Sequence, residues 1–287
     1  MQYRTDLAVE WDAKSADSLT EEDLLRREYR RDGVTVWQLH VRSDRAAGAL
    51  EKPKGLYVTA QLPPLSDYDK ELERPARCIG DLLRDMLPPS GAVLVAGLGN
   101  RSITPDALGP EAADMVLATR HIGGEFARTA GLEDLRPTAV IKPDVLGKTG
   151  VETGEILRGI CNAVLPVAVI AIDALAARSV DRLGCTVQLG NSGISPGSGV
   201  GNHRLALNQD SLGVPVIAIG VPTVVATGTI AAHVNGRTAD DDIHRGMMVT
   251  PREIDLIIRR AAKLVAMAIN YALQPSYSPI ELMLTAR

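Results

Sequence analysis

Four segments place polar or glycine-rich residues directly behind short apolar runs. The first is Gly97-Leu98-Gly99-Asn100 with Arg101-Ser102-Ile103-Thr104-Pro105-Asp106-Ala107-Leu108-Gly109-Pro110, behind Ala92 to Ala96. The second is Asp173-Ala174, behind Val167 to Ile172. The third runs from Asn191 to His203, and the fourth is Gly220-Val221-Pro222-Thr223, behind Val214 to Ile219. In open parallel sheets, ligands bind beyond the carboxyl ends of the strands, so these segments are where chemistry is expected. Asp173 is the sharpest single signal. It is a carboxylate closing a run of Val and Ile, and an ionised carboxylate is costly to bury unless it is paired or ligates a metal. Its alternative role is the N-cap of a helix starting at Ala174 to Arg178. Asp106, after Pro105, has the same alternative at the start of the next helix. If their strands are neighbours, both carboxylates reach one sheet edge. Two carboxylates at one site can share a proton and activate water, or hold a divalent metal.

The other constellations are weaker. The loop Gly197-Ser198-Gly199-Val200-Gly201 could cradle an anion or a peptide backbone through its N–H groups, or be a surface turn. Gly97-Leu98-Gly99 has the first letters of a dinucleotide fingerprint, but Ser102 stands where the third Gly belongs. Gly147-Lys148-Thr149 fails as a phosphate loop because Lys142 replaces its first Gly. Gly193-Ile194-Ser195-Pro196-Gly197 fits the letters of a nucleophile elbow, which needs a helix after the Ser; Pro-Gly-Ser-Gly is a poor helix former. Ser195 with His203, His233 or His244 as base is the serine-hydrolase alternative. His203, beside the glycine loop, is the most suggestive histidine, and none of the five has metalloprotease spacing. Cys78, Cys161 and Cys185 read as small buried hydrophobes.

These groups need a scaffold, and the pattern supplies one. Ala92 to Ala96, Thr138 to Ile141, Val167 to Ile172 and Val214 to Ile219 are apolar on both faces, which suits strands of a buried parallel sheet. Helix-like stretches lie between them: Ala107 to Thr119, Val151 to Leu165 and Leu175 to Arg182. The alternation predicts an α/β fold with a largely parallel central sheet flanked by helices. Upstream, Leu19 to Arg31 reads as a charged helix with Thr20 and Asp23 as capping residues. Val34 to Val41 and Gly55 to Ala60 read as strands, and Asp67 to Met86 as a helix. Arg252 to Leu273 reads as a long helix with Thr250 at N-cap and Pro251 at N1. One domain over residues 1–287 is expected, with residues 1–88 extending the same layered body.

Composition agrees with a packed enzyme-sized chain. The 287 residues are 45% hydrophobic and only 3% aromatic, so aliphatic side chains must fill the core. A net charge of −4 argues against general nucleic-acid binding. Three cysteines without CxxC spacing argue against a zinc ribbon or a disulfide-built fold, and point to a reducing, cytoplasmic setting. Met1 to Glu10 lacks the apolar region of a signal peptide, and no run is long enough to span a membrane.

The ordered segments together resemble the germination proteases, which degrade small acid-soluble spore proteins. The likeness runs through Arg4-Thr5-Asp6-Leu7-Ala8-Val9-Glu10, Val95-Ala96-Gly97-Leu98-Gly99-Asn100, Thr104 to Pro110, Ile172 to Ser179, Gly193 to Asn202, Gly220 to Val225, Val249 to Asp255 and Asn270 to Leu273. The resemblance implies a sequence-specific endopeptidase, made as a zymogen and assembled as a homotetramer in the forespore or spore core. Its α/β fold is akin to that of the hydrogenase maturation proteases, a phosphorylase/hydrolase-like fold. The family's two acids fall on Asp106 and Asp173, with a divalent metal as the alternative to a cofactor-free pair. Gly99, Asn100, Gly197, Ser198, Gly199 and Asn202 would hold substrate or oxyanion, with Ser195 and His203 in support. No direct nucleic-acid or membrane partner is expected. Two departures stand out: only Met1-Gln2-Tyr3 precede Arg4 where the family has a prosegment, and Ala226 stands where the family has Asp. Beside the peptidase stand two other readings, a serine hydrolase using Ser195 and a non-catalytic binding or scaffold homologue.

Overall fold

The computed structural model describes residues 5–11, 19–66, 71–122, 134–197, 205–227 and 247–285. Leu24–Arg31 (β1) and Val34–Val41 (β2) pair antiparallel along their whole length, from Leu24 opposite Val41 to Arg31 opposite Val34. The expected charged helix over Leu19 to Arg31 is therefore a strand. Asp32 (φ 51°) and Gly33 (φ 82°) both adopt left-handed backbone, the two-residue turn whose twist matches a hairpin. The exposed Arg26, Arg27 and Glu28 mislead a helix reading, but charge is what an edge strand carries against unwanted pairing. The capping chemistry of Thr20 and Asp23 is real but serves a turn: the Thr20 N–H donates to Asp23 Oδ2 at 3.2 Å, just before β1.

Gly55–Gln61 (β3) pairs antiparallel with β2 and, on its other side, with Thr186–Gly190 (β7). Beyond β7 lie Val216–Ala226 (β8), Ala168–Ala177 (β6), Val93–Gly97 (β4) and Thr138–Ile141 (β5). Met248–Val249 (β9) adds to the end of β8. Among the described residues this is one sheet of nine strands. The pairs β5–β4, β4–β6 and β6–β8 are parallel, while β1–β2, β2–β3, β3–β7 and β7–β8 are antiparallel. The sheet is thus mixed rather than largely parallel. The short Asp32-Gly33 link can only reverse the chain, whereas parallel neighbours need a crossover.

The parallel strands alternate between two apolar faces. Val93, Val95, Ile170, Ile172, Ile217 and Ile219 share one core with Glu73–Arg84 (α2), Leu108–Ala113 (α3) and Ile254–Leu273 (α5). Leu94, Ala96, Val169 and Ala171 face Leu157 and Cys161 of Thr153–Val164 (α4). Helices on both faces explain the apolar runs.

Three boundaries differ from expectation. The stretch Leu175 to Arg182 is not a helix, since β6 continues to Ala177. Its parallel ladder with β8 survives a register shift between Leu175 and Ala176 and ends at Ala177 opposite Val225. Leu175, Ala177 and Val225 bury themselves with Leu7. Helix α3 stops at Ala113 because α5 captures the following backbone: the Leu117 N–H donates to Asn270 Oδ1 at 2.8 Å, and Asn270 Nδ2 donates to the Met115 carbonyl at 3.0 Å. Helix α5 begins at Ile254, after Thr250 and Pro251, because the Thr250 hydroxyl donates to the Thr223 carbonyl at 2.9 Å instead of capping.

Candidate active site

Strand β4 ends at Gly97, and two close backbone approaches turn the chain there. A Cβ on Gly97 would lie 2.3 Å from the Gly109 carbonyl oxygen, and one on Gly109 would lie 2.1 Å from that of Leu98. Helix α3 therefore presses its backbone onto the strand end. The Leu98 N–H donates to the Ile172 carbonyl at 2.8 Å, which holds the loop against β6. Gly99 has φ +103°, and its Cβ would fall 2.2 Å from the Asp106 carbonyl oxygen. Only glycine fits that position without strain.

This turn aims Asp106. The Asn100 N–H donates to Asp106 Oδ2 at 2.8 Å, while Asn100 Oδ1 accepts from the Ser102 N–H at 2.9 Å. The N-cap of α3 is Ala107, with no side-chain capping bond. The Asp106 carboxylate thus reaches back to the loop after β4 rather than capping the helix. From the other side, the Thr223 hydroxyl of β8 donates to the Pro105 carbonyl at 2.8 Å. With the Thr250 hydroxyl on Thr223, this ties the Asp106 turn to β8 and to the start of α5.

Asp173 lies inside β6, opposite Gly220 of β8, and is 5% exposed. It is not a helix N-cap, because the strand continues through it. Its Oδ1 accepts from the Ala174 N–H at 3.0 Å. A Cβ on Gly220 would lie 2.4 Å from the Asp173 carbonyl oxygen, so the glycine lets β6 and β8 approach here.

Asp106 and Asp173 line one cavity of about 670 Å³, with Gly99, Ser195, Gly197, Gly220 and Thr223. Asn100 contributes through its N–H to Asp106 and does not line the cavity. Ile194 pairs with Leu207 just before Ser195, and Pro196 and Gly197 form a turn. Ser198, Gly199, Asn202 and His203, with the rest of the glycine loop, lie outside the described residues, as do His233, His244 and Asp67 to Lys70.

Sequence reading missed much of the remaining lining: Asp6, Trp11, Lys52, Tyr57 and Gln188 also line the cavity. The segment 5–11 is strapped to the end of β6. The Asp6 N–H donates to the Ala176 carbonyl at 3.0 Å, and Asp6 Oδ2 accepts from the Ala176 N–H at 2.9 Å. Glu10 accepts from the Arg178 and Ser179 N–H groups at 2.7 and 2.8 Å, and from the Thr5 hydroxyl. Gln188 Oε1 accepts from the Thr59 hydroxyl at 2.6 Å and from the Ala8 N–H at 3.2 Å. A glutamine inside the apolar run Thr186 to Gly190 was the available signal. Burial holds the Lys52 ammonium below the usual lysine pKa, although the Asp6 and Glu51 carboxylates act the other way. Burial likewise pushes the Tyr57 phenol up, partly offset by its hydrogen bond with Ser192.

The carboxylates of Asp106 and Asp173 are hard oxygen donors of the kind that bind divalent cations. Among the described residues, no three of His, Cys, Asp and Glu gather in a metal-binding arrangement. No helix among the described residues is long and apolar enough to cross a membrane.

Comparison of the sequence with known proteins places this chain in a family. The chain is 38% identical to the germination protease of Caldanaerobacter subterraneus subsp. tengcongensis, over 97% of this chain and 96% of that one. It is 36% identical to the germination protease of Clostridium tetani, over 96% and 97% of the two chains. A hydrogenase maturation protease from Thermococcus kodakarensis KOD1 overlays 66% of this chain and 98% of its own, with a TM-score of 0.38 and 19% identity. Residues 4–235 match the family model described as germination protease, a span that includes both Asp106 and Asp173, and the chain belongs to that family of peptidases.

Proposed function

We propose that this chain is an endopeptidase that hydrolyses small acid-soluble spore proteins during germination, with Asp106 and Asp173 activating water. The observation that carries this reading is the convergence of two carboxylates, delivered by the neighbouring parallel strands β4 and β6, on one cavity. Residues 1–287 act as one peptidase domain on this reading.

In this mechanism one carboxylate, ionised, takes a proton from water as the oxygen attacks the scissile carbonyl. The other, holding the shared proton, hydrogen-bonds the carbonyl oxygen and then passes the proton toward the leaving amine. Close carboxylates separate their proton affinities, which permits such a division of labour. The backbone N–H groups of the loops at Gly99 and Gly197 to Gly199, with Asn202, are the donors assigned to substrate or oxyanion. A divalent cation, when bound, would be held by Asp106 and Asp173 and would supply a more acidic water.

Asp173→Asn and Asp106→Asn, incubated separately with a purified α/β-type spore protein, should each lose at least about a hundredfold in cleavage rate. Mass spectrometry of the products reads the result, and an unchanged thermal midpoint shows that the fold survives. Equal cleavage by both variants and the wild type would remove the aspartate pair from the mechanism. Loss of activity to a fluorophosphonate probe would move the chemistry to Ser195.

A further inference from the structure

Strand β6 continues from Ile172, the last residue that β4 pairs, to Ala177. Over that stretch it stays paired with β8, whereas its other edge has lost β4. Successive residues of a strand turn their backbone N–H and C=O groups to opposite edges. The Val169 N–H donates to the Pro215 carbonyl, just before β8, at 2.9 Å, so the odd-numbered residues here face β8. The even-numbered ones face the side of β4. The Ile172 carbonyl accepts from the Leu98 N–H at 2.8 Å, and the Ala176 carbonyl from the Asp6 N–H at 3.0 Å. The rung between these two belongs to Ala174.

That rung is open. The Ala174 N–H donates to Oδ1 of its own neighbour, Asp173, at 3.0 Å, and the Ala174 carbonyl has no donor among the described residues. On one side, β4 ends at Gly97, and the left-handed backbone of Gly99 takes the chain out of the ladder. On the other side, segment 5–11 is fixed. Asp6 Oδ2 accepts from the Ala176 N–H at 2.9 Å, and Ala8 shares a buried cluster with Ala46 and Leu50 of the helix Asp44–Leu50 (α1). Ala174 is the one residue of β6 that is not buried. It lines the cavity together with Asp6, Leu98, Gly99 and Asp173.

A strand edge interrupted for one rung is a template for another backbone. We infer that Ala174 is where an extended peptide adds to the sheet, one of its N–H groups donating to the Ala174 carbonyl between the Leu98 and Asp6 rungs. The inference rests on the peptidase reading above and deepens it, because the substrate is then recognised through its main chain and only when extended. Asp173 is the next residue along β6, so the pairing sets a peptide main chain beside its carboxylate whatever side chains that peptide bears. A helical segment has already used its N–H groups and cannot make the bond. The terminal strands β1 and β5 also present sheet edges, but none of their residues lines this cavity.

The test uses a peptide from an α/β-type spore protein in which each backbone amide in turn is replaced by an ester, which deletes one N–H. A second series is N-methylated at the same positions. Binding is measured by fluorescence anisotropy in an Asp106→Asn background, so that affinity is read apart from cleavage. Turnover is measured with the wild type. At one residue both replacements should weaken binding roughly tenfold and, away from the cleaved bond, raise KM with kcat unchanged. A diazirine side chain at that residue should cross-link within residues 5–6, 98–99 or 173–175, mapped by mass spectrometry. Equal binding by every ester, a loss on N-methylation alone, cross-links only outside those residues, or failure of the parent peptide to bind would overturn the open rung. Cleavage by the wild type with no sensitive amide would sink the rung and leave the peptidase reading standing. An amide-dependent complex, cross-linked as expected, that the wild type does not cleave would do the reverse.

Discussion

The parallel strands β4, β6 and β8 and the antiparallel strands β1, β2, β3 and β7 belong to one sheet, yet they meet the cavity in different ways. The parallel part is buried on both faces, and its polar groups sit where strands end or bend: Asp106 after β4, Asp173 in β6, and Gly220 and Thr223 in β8. Its precision comes from backbone pressed on backbone, at Gly97, Gly99, Gly109 and Gly220. The antiparallel part begins at an exposed edge and contributes side chains that project from its inner strands, Tyr57 of β3 and Gln188 of β7. The lesson is a division of roles. One part holds the carboxylates by tight packing of backbone, and the other adds to the lining with hydrogen-bonded side chains.

Two glycine substitutions probe this contrast most directly. Gly109→Ala puts a methyl group 2.1 Å from the Leu98 carbonyl oxygen and 2.6 Å from that of Ile172, neither of which can move without shifting a strand. It should cost at least about 3 kcal/mol, read by urea denaturation, with activity falling as the Asp106 turn is displaced. A loss under about 1 kcal/mol would show that α3 is not locked on the strand ends. At the other extreme, a Cβ on Gly33 meets nothing within 4 Å, and only its φ of +82° resists a side chain. Gly33→Ala should cost about 1 kcal/mol and leave peptide cleavage unchanged.

Between them lies Thr223→Val, which deletes the hydroxyl joining β8 to the Pro105 carbonyl in an otherwise buried place. A loss of about 1–2 kcal/mol is expected, with a modest fall in kcat because the turn bearing Asp106 loosens. An unchanged kcat would place Asp106 under the control of Asn100 and Gly99 alone.

The smallest effect concerns thiols. Cys78 lies on the buried face of α2, and burial pushes its thiol up to about 11 from an ordinary value of 9.0. Cys161 and Cys185 are raised by the same cause. The native chain should therefore resist a thiol reagent at pH 8 and react fully once unfolded. Because the folded state holds these protons more tightly, their contribution to stability is complete below pH 9. For Cys78 it declines as the pH rises toward 11, when the unfolded thiol ionises and the folded one does not. Rapid labelling of the native chain would show that this core opens locally.

The parallel strands were legible in the sequence because burial on both faces leaves an unbroken apolar run. Thr138–Ile141 appears with the expected bounds, and Val93–Gly97 is shifted by one residue. The position of Asp173 was legible for the same reason, since a carboxylate directly behind such a run needs an explanation; Asp106, nine residues beyond Gly97, carried no such signal and read equally as a helix cap. The antiparallel hairpin was half legible. Val34–Val41 matches, but β1 was hidden by charges that suit an exposed edge as well as a helix, and Asp32-Gly33 was the signal that outweighed them. Strand β7, the extension of β6 past Asp173, and the meeting of Trp11 and Lys52 with the aspartates were not legible. Each depends on a partner distant in the chain: Val187 on Ala60, Ala177 on Val225, Lys52 on Thr5. The sequence by itself determined which residues carry charge, which runs must be buried and where glycine was needed. Only the tertiary structure decided which strands became neighbours, because strand pairing is satisfied by backbone groups that every residue has. That choice of neighbours turned dispersed carboxylates, an ammonium and an indole into the lining of one cavity.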